Sequence, residues 1–512
     1  MPESLRFLPP ESIITGWDFS TGGVKCLAFD VDGNTVAEAR LPTDLWTEGG
    51  VSELNLMQLE GQARAISRAI TDLLADAGRL SQWAAGGISA THHTNGRIDE
   101  NGNQVRRAIC WNDHTLAEYH ARGLERLGGQ EAVHKLIGGP WAIRYSLSHL
   151  VKDESCLAHG DWERTNLILP HGSLAAGYLT SNFNSASVSA AASTGMMDLR
   201  THEWCQGMLM ALDNADHRRL AFHQLPTIYD EFTPVGQISE SVAHDLGLAP
   251  HHRPQIFPTS DDQQAGLVGG GAVDAGQMAI ILGNSAVVNS SGSQLPAGDG
   301  LDAMKLNWGP YLWMRCYNNG AQFLDRVVGV NPNWEELEKA ARACPPGANG
   351  HRVSPFASPE PSLGVAKPRF EWAPREPAEP GVRFRASLEA LAYLIAWGVQ
   401  AHEKAGQKIT RITVSGGIAR SPLMCEILAT VLNKKLERLQ SDEGPALGAA
   451  VTALAAMETH LRRHGAEQRP FTVADAVAAM VKFKEPALPN PSWREAYVKE
   501  LRDFGDWLKV RA

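Results

Sequence analysis

Gly16-Trp17-Asp18-Phe19-Ser20-Thr21-Gly22-Gly23-Val24-Lys25 decides how this chain is read. Ile13-Ile14 leads into it as an apolar, β-like run, and residues 24–31 leave it as a second strand. Asp32-Gly33-Asn34 then reads as a tight hairpin into Thr35-Val36-Ala37. A carboxylate at a strand end can hold a divalent cation through water, while the amides and hydroxyls of a Ser-Thr-Gly-Gly turn hold phosphate oxygens. An ordinary hairpin with an exposed aspartate uses the same residues, so the segment gains force only from its company.

Two further turns supply that company. Leu282-Gly283-Asn284-Ser285 follows the strand-like Gln277–Leu282, and Ser415-Gly416-Gly417-Ile418-Ala419-Arg420-Ser421 follows Ile412-Thr413-Val414. The first repeats the strand-to-small-residue turn. The second would let backbone approach a flat base or ribose without a Cβ in the way, although a tight strand-to-helix connection needs the same glycines. Ser421-Pro422 is a good N-cap and N1 pair for a helix carrying Leu423, Ile427, Leu428 and Val431. Three such turns in two similar halves predict an α/β chain with a nucleotide in a cleft between two domains.

Composition narrows the class. A length of 512 residues favours two domains, and 43% apolar with 20% charged residues is ordinary for a globular protein. A net charge of -10 argues against a nucleic-acid or anionic-membrane partner. Seven scattered cysteines without a Cys-x-x-Cys pair fit reduced thiols in a cytoplasmic protein better than disulfides or zinc. The first residues lack a basic stretch followed by an apolar one, and no run approaches the roughly 18 apolar residues of a membrane span.

Ile66, Ile70, Leu73 and Leu74 recur at helical spacing within residues 57–80, and residues 84–90 read as a strand. Asp99-Glu100-Asn101-Gly102 signals another hairpin. A second module is expected near His251, with Gln255-Ile256-Phe257 a strand and residues 265–273 a Gly-rich helix. Residues 354–381 are dense in proline and read as a surface excursion. Helical periodicity resumes at Leu388, Leu391, Ile395 and Val399, and Gly448-Ala449-Ala450 suits close helix packing. Expected boundaries are 1–250, 251–463 and a peripheral helical tail at 464–512.

Three polar groups lie at strand ends. His93 closes Ser89-Ala90-Thr91-His92-His93, Trp111-Asn112-Asp113 follows Ala108-Ile109-Cys110, and Asp262-Gln263 precedes the second turn. Paired acceptors beside a tryptophan face suit a sugar; a polar loop with a half-buried tryptophan has the same look. Asp262 also fits a helix N-cap, a reading strengthened by Asp261 beside it.

Together these segments resemble the FGGY carbohydrate kinases over nearly the whole chain. The resemblance implies two actin/hexokinase-like (ribonuclease H-like) domains with an interdomain cleft, and ATP with Mg²⁺ as cofactors. It implies that Asp18 is catalytic and lies near the metal, and that Ser20, Thr21, Gly22 and Lys25 serve the phosphates. Gly283, Asn284 and Ser285 form the second phosphate motif, and Gly416, Gly417, Ile418 and Ser421 the adenosine motif. His93, Trp111, Asn112, Asp113, Asp262 and Gln263 are the implied sugar contacts. Thr91, Asn284 and Ile418 replace a glutamine, a threonine and a glycine of the family pattern. The segments 16–21 and 491–504 look most like the xylulose (pentulose) kinases.

One departure stands out. Leu179-Thr180-Ser181 and Thr194-Gly195-Met196-Met197-Asp198 frame the family's D-x-S-D-A-S-G-T segment, which here reads Ser187-Val188-Ser189-Ala190-Ala191-Ala192-Ser193. The resemblance places the catalytic aspartate at Ser187, and no Asp or Glu lies between Glu163 and Asp198. Losing a general base typically costs about 10²–10⁴ in rate. Phosphoryl transfer relies mainly on positioning and charge, and Asp262 or His93 are available as substitutes. The expectation is an ATP-dependent kinase of a small sugar, a pentulose foremost. A catalytically impaired member acting as a sugar- or nucleotide-binding regulator is the alternative, and an ATPase chaperone or actin-like filament protein a weaker third. Expected partners are the small sugar and a second copy of the chain as a homodimer, not nucleic acid or membrane.

Overall fold

The opening glycine turn joins two antiparallel strands, β1 (Ile13–Phe19) and β2 (Gly23–Asp30), in the computed structural model, which describes residues 6–298, 300–329, 331–465 and 469–509. All of β1 is buried, as a strand covered on both faces must be. β3 (Thr35–Pro42) follows through Gly33 at φ +79°, the left-handed residue that the Asp-Gly-Asn turn predicts. Asn55 caps α1 (Leu56–Asp76) by accepting from the Met57 amide, and Leu59, Ile66, Ile70 and Leu74 line its buried stripe. β4 (Trp83–Ala90) returns parallel to β1.

A five-stranded antiparallel sheet follows, built in spatial order from Leu45–Glu48, Val51–Leu54, Gln104–Ile109, Asn95–Ile98 and Leu167–Pro170. Between residues 117 and 245 the chain is largely helical, and includes α2 (Ser146–Cys156) and the short α3 (Val188–Ala192). β5 (Ser260–Asp261) then pairs with β4 and runs directly into α4 (Asp262–Gly269).

The chain divides into two compact units, and their limits differ from the expected boundaries. The first comprises Met1–Gly269, Ala303–Tyr311 and Pro445–Val481; the second comprises Gly270–Asp302, Leu312–Gly444 and Lys482–Ala512. Glycine packing explains the return of residues after 444 to the first unit. Gly16 and Gly87 are register partners in β1 and β4, and a Cβ on either would overlap the carbonyl of Ala446 or Ala449 in the helix Gly444–His464. A Cβ on Gly448 would likewise overlap the Ala265 carbonyl of α4. The helix therefore lies flush on this sheet because Gly16 and Gly87 permit it, and Gly448 lets it approach α4 as closely.

In the second unit, β6 (Gln277–Leu282) and β7 (Ala286–Gly292) form an antiparallel pair. α5 (Trp334–Ala343) and α6 (Pro380–Lys404) follow, then β8 (Arg411–Ser415), parallel to β6, and α7 (Pro422–Leu432). Leu388, Leu391 and Ile395 on α6 are fully buried in the core. Residues 354–381 are not wholly superficial: Ser354, Phe356 and Glu360 are buried, and Glu360 accepts from the Asn318 amide at 2.7 Å. The tail helix Arg494–Leu508 is not peripheral either, because it buries Tyr497, Phe504 and Leu508 in the second unit's core. Among the described residues no helix is long and apolar enough to cross a membrane, and the seven cysteines are free thiols.

Candidate active site

Register brings the acidic groups of the first unit together. β1, β4 and β5 are parallel neighbours, with Asp18 opposite Ser89, Ser89 opposite Ser260, and Ala90 opposite Asp261. Residues far apart in sequence thus meet along one row of strand ends. Asp18 is buried and accepts a hydrogen bond from Ser89 Oγ at 3.0 Å.

The pair Asp261-Asp262 divides its labour. Asp261 Oδ1 accepts from the amides of Gln263 at 3.0 Å and Gln264 at 2.9 Å, so it is Asp261 that caps α4. Asp262 is left with lighter holds, the Gln263 side chain at 3.3 Å and the His92 backbone. It keeps some solvent contact at its edge, yet its carboxyl is enveloped by protein. Burial above all, then the like charges of Asp261 and Asp18, push its pKa up to about 8.

His93 sits at φ +59° between two rings, 3.6 Å from the centroid of His92 and 4.3 Å from that of Tyr145. Burial, reinforced by His92 and Arg144, holds its pKa well below the ordinary imidazole value, so the ring is neutral near pH 7. Its Nδ1 lies 2.6 Å from the Ser193 carbonyl, which assigns the proton to that nitrogen. Nε2 is left as an acceptor, buried and without a hydrogen-bond partner among the described residues. Such an atom costs about 1–3 kcal/mol unless a ligand or water satisfies it. A sugar hydroxyl has the matching chemistry.

Trp111, Asn112 and Asp113 form the turn after Gln104–Ile109, and Ser52 Oγ donates to Asn112 Oδ1 at 2.9 Å. Asp113 has strong partners within the protein. Lys152 Nζ on α2 donates to one carboxylate oxygen at 2.8 Å, and the Thr115 amide and hydroxyl donate to the other at 2.8 and 2.5 Å. Burial would raise its pKa, but the bonds from Lys152 and Thr115 outweigh it and keep the group ionised. Asp113 thus fastens the turn that carries Trp111 and Asn112.

Ser187 is the N-cap of α3: its Oγ accepts from the Ala190 amide at 3.0 Å, and the residue is almost fully buried. No carboxylate lies in that segment; the carboxylates gathered at these strand ends are Asp18, Asp261 and Asp262. Sequence reasoning missed two participants. Ser189 Oγ donates to Asp261 Oδ2, and Asn307 Oδ1 accepts from the Ser189 amide at 2.8 Å. The doubled aspartate was the only local sign that one of the two would be occupied elsewhere.

The Ser20–Gly23 turn is closed by its own serine, whose Oγ donates to the Gly23 carbonyl at 2.8 Å. Gly22 is exposed, and a Cβ there would meet nothing within 4 Å, so its backbone is open to a ligand. Thr21 is partly exposed, and Lys25 on β2 is the register partner of Asp18.

The second unit carries a cavity of about 630 Å³, a size that takes a nucleoside. β6 and β8 run in parallel with Ile281 opposite Ser415, which delivers both glycine turns to one end of the sheet. The Gly283 amide donates to the Ser285 carbonyl at 3.0 Å, closing the Gly283-Asn284-Ser285 turn. Gly416 is required twice over: its φ is +92°, and a Cβ would overlap Leu282. Leu282, Leu324, Trp334, Phe384, Ile418 and Pro422 give the cavity apolar walls. Gly283 and Gly417 also line it, with no atom closer than 3.8 Å to a Cβ on the first and none within 4 Å of one on the second. Ser421 is less available than expected, since its Oγ accepts from Met424 and donates to Glu338 at 2.6 Å. Flat apolar walls beside open glycine backbone fit a purine nucleotide, and the hard oxygens of Asp18 fit Mg²⁺.

Residues 13–269 match the N-terminal domain of the FGGY family of carbohydrate kinases, and residues 338–457 its C-terminal domain. The chain belongs to the FGGY family of carbohydrate kinases. Among FGGY relatives, the xylulose kinase of Staphylococcus epidermidis RP62A is 23% identical across 95% of this chain and 94% of that protein. The xylulose kinase of Escherichia coli K12 is 27% identical across 85% and 88%. The crystal structure of xylulose kinase from Rhodospirillum rubrum superposes with a TM-score of 0.81 at 20% identity, over 97% of this chain and 98% of that one. Plasmodium falciparum glycerol kinase with ADP gives 0.81 at 16% identity, over 98% and 99%. These likenesses establish the two-domain, actin/hexokinase-like fold. FGGY kinases are phosphotransferases that use ATP with Mg²⁺ and a sugar acceptor.

Proposed function

We propose that this FGGY kinase phosphorylates a pentulose such as xylulose, with Asp262 as the general base. The observation that carries the reading is the convergence, within one unit, of Asp18, Asp262 and the unsatisfied Nε2 of His93. The xylulose kinases among its relatives point to the ketopentose.

The acceptor sugar belongs to the first unit. His93 Nε2 accepts from one of its hydroxyls, Trp111 lends an apolar face, and Asn112 and Gln263 supply amides. Asp262 takes the proton of the hydroxyl that attacks phosphorus. With its pKa pushed up to about 8, the ionised fraction of Asp262 is a stronger base than an ordinary carboxylate, and that fraction grows as pH rises toward 8. The alternative of an impaired kinase rested on Ser187, and a buried carboxylate on α4 leaves that serine free to cap α3. In the second unit, the apolar walls receive adenine, Gly416, Gly417 and Ile418 flank the nucleoside, and Gly283, Asn284 and Ser285 lie toward the phosphates. Asp18 would hold Mg²⁺, with Ser20, Thr21, Gly22 and Lys25 beside it; the metal supplies charge that neutralises the transferring phosphoryl group. Seven free thiols favour the cytoplasm.

The test is ATP consumption against a panel of pentuloses, hexuloses and polyols. The highest kcat/KM is expected for a ketopentose. A panel without any acceptor-stimulated turnover would refute the catalytic reading, and a clear preference for glycerol or a hexulose would refute the substrate.

A further inference from the structure

Four residues around Asp262 form a closed ring of hydrogen bonds. Ser189 Oγ donates to Asp261 Oδ2, and the Asp261 amide donates back to Ser189 Oγ at 3.3 Å. The Ser189 amide donates to Asn307 Oδ1 at 2.8 Å, and the Asn307 amide donates to Gln264 Oε1 at 2.9 Å. The Gln264 amide closes the circuit on Asp261 Oδ1 at 2.9 Å. Ser189, Asp261 and Gln264 are buried, and three separate stretches of the first unit contribute: α3, the β5–α4 junction and the Ala303–Tyr311 segment.

We infer that Ser189 and Asn307 are positioning residues for Asp262, acting through Asp261; the inference rests on Asp262 being the base. Asp262 lies in sequence between two ring-bound groups, the Asp261 carboxylate and the Gln264 amide. Among the described residues, its own side chain is held by the Gln263 amide at 3.3 Å and the His92 backbone. The direction of its carboxyl is therefore set by the backbone beneath it, and the ring fixes that backbone from both flanks. Asp261 takes part in three of the circuit's bonds: its carboxylate accepts from Ser189 Oγ and the Gln264 amide, and its own amide donates to Ser189 Oγ. Ring closure also explains why Asp261 remains a cap rather than competing with Asp262 for substrate: its carboxylate is occupied by Ser189 Oγ and by the amides of Gln263 and Gln264. A shift of about 1 Å at a reacting group can cost about 10²-fold in rate, so loosening this turn is felt at the chemistry first.

The experiment is steady-state kinetics with a ketopentose and MgATP on wild type, Ser189→Ala, Ser189→Thr, Asn307→Ala and the double Ser189→Ala/Asn307→Ala variant, each with a melting midpoint. Ser189→Ala is expected to lower kcat by about 10- to 100-fold while both KM values stay within about 3-fold, and Ser189→Thr to restore most of it. Asn307→Ala should lower kcat less, and the double variant little more than Ser189→Ala alone, because one circuit is broken either way. An unchanged kcat in both single variants overturns the inference. So does a fall in kcat that tracks the melting midpoint and is not rescued by threonine. Should Ser189→Ala fail to fold, Asn307→Ala decides by the same split between kcat and KM. Wild type without sugar-dependent turnover refutes the base assignment as well, whereas an active wild type with indifferent variants refutes only the positioning role.

Discussion

The two halves of this kinase solve different problems with different materials. The first unit builds its site from side chains at the ends of β1, β4 and β5, where carboxylates crowd one another and one is driven toward neutrality. The second builds its site from backbone turns and apolar walls, with Gly416 admitted because no side chain fits. Chemistry that moves a proton needs groups whose charge can change; holding a nucleotide needs shape and accessible amides. The contrast predicts that substitutions in the first unit change turnover, while those in the second change affinity or stability.

Apart from Asp262 itself, the largest expected effect is at Asp18. Asp18→Asn should lower kcat/KM by about 10²–10³-fold and raise the Mg²⁺ concentration for half-maximal velocity, measured by titrating the metal at fixed ATP. A loss of kcat without a change in metal requirement would blur the contrast, since Asp18 would then act only on the sugar side. Gly416→Ala comes next. Its φ of +92° and the overlap with Leu282 should cost about 1–3 kcal/mol of stability, read as a lowered melting midpoint, with an ATP KM that rises while the sugar KM holds. Trp334 is 50% exposed on the cavity wall, and Trp334→Ala should raise the ATP KM by about 2- to 10-fold without altering the sugar KM.

The smallest effect sharpens the comparison through pH. In the native protein Asp262 keeps its proton up to about pH 8, whereas in the unfolded chain it releases it near the ordinary carboxylate value of about 3.9. Between those limits the native state holds more protons, so this group's contribution to stability is complete at low pH and is lost as pH rises toward 8. Asp262→Asn lacks that slope. Its melting midpoint should therefore gain on wild type steadily from pH 5 to pH 8, and a constant difference would mean that the carboxyl is not raised.

Much of this was legible in the chain because it is local. The strand–turn–strand at Gly16–Lys25, the hairpin at Gly33 and the cap at Ser421 follow from short-range sterics and hydrogen bonding, and all are present in the structure. The choice of Asp18, His93 and Asp262 as site residues also came from strand-end position. What the sequence withheld was pairing at long range. The Ser189–Asp261 bond spans 72 residues, the Ser189–Asn307 bond 118, and the Lys152–Asp113 pair spans 39. Periodicity cannot announce such partners. The unit limits were missed for a related reason, because Gly16 and Gly87 mark a helix–sheet approach, and Gly448 a helix–helix one, only once the strands and α4 are placed. That Ser187 caps α3 was not legible either, because the short helix Val188–Ala192 carries no periodicity of its own.

The central claim is that the carboxylate on α4, not the α3 segment, removes the acceptor's proton. It is tested most directly by comparing sugar-dependent kcat for Asp262→Asn and Ser187→Ala with wild type at saturating MgATP. A loss of about 10²–10⁴-fold is expected for Asp262→Asn, and a value within about 3-fold of wild type for a folded Ser187→Ala. Near-normal turnover in Asp262→Asn, with collapse in a folded Ser187→Ala, would contradict it.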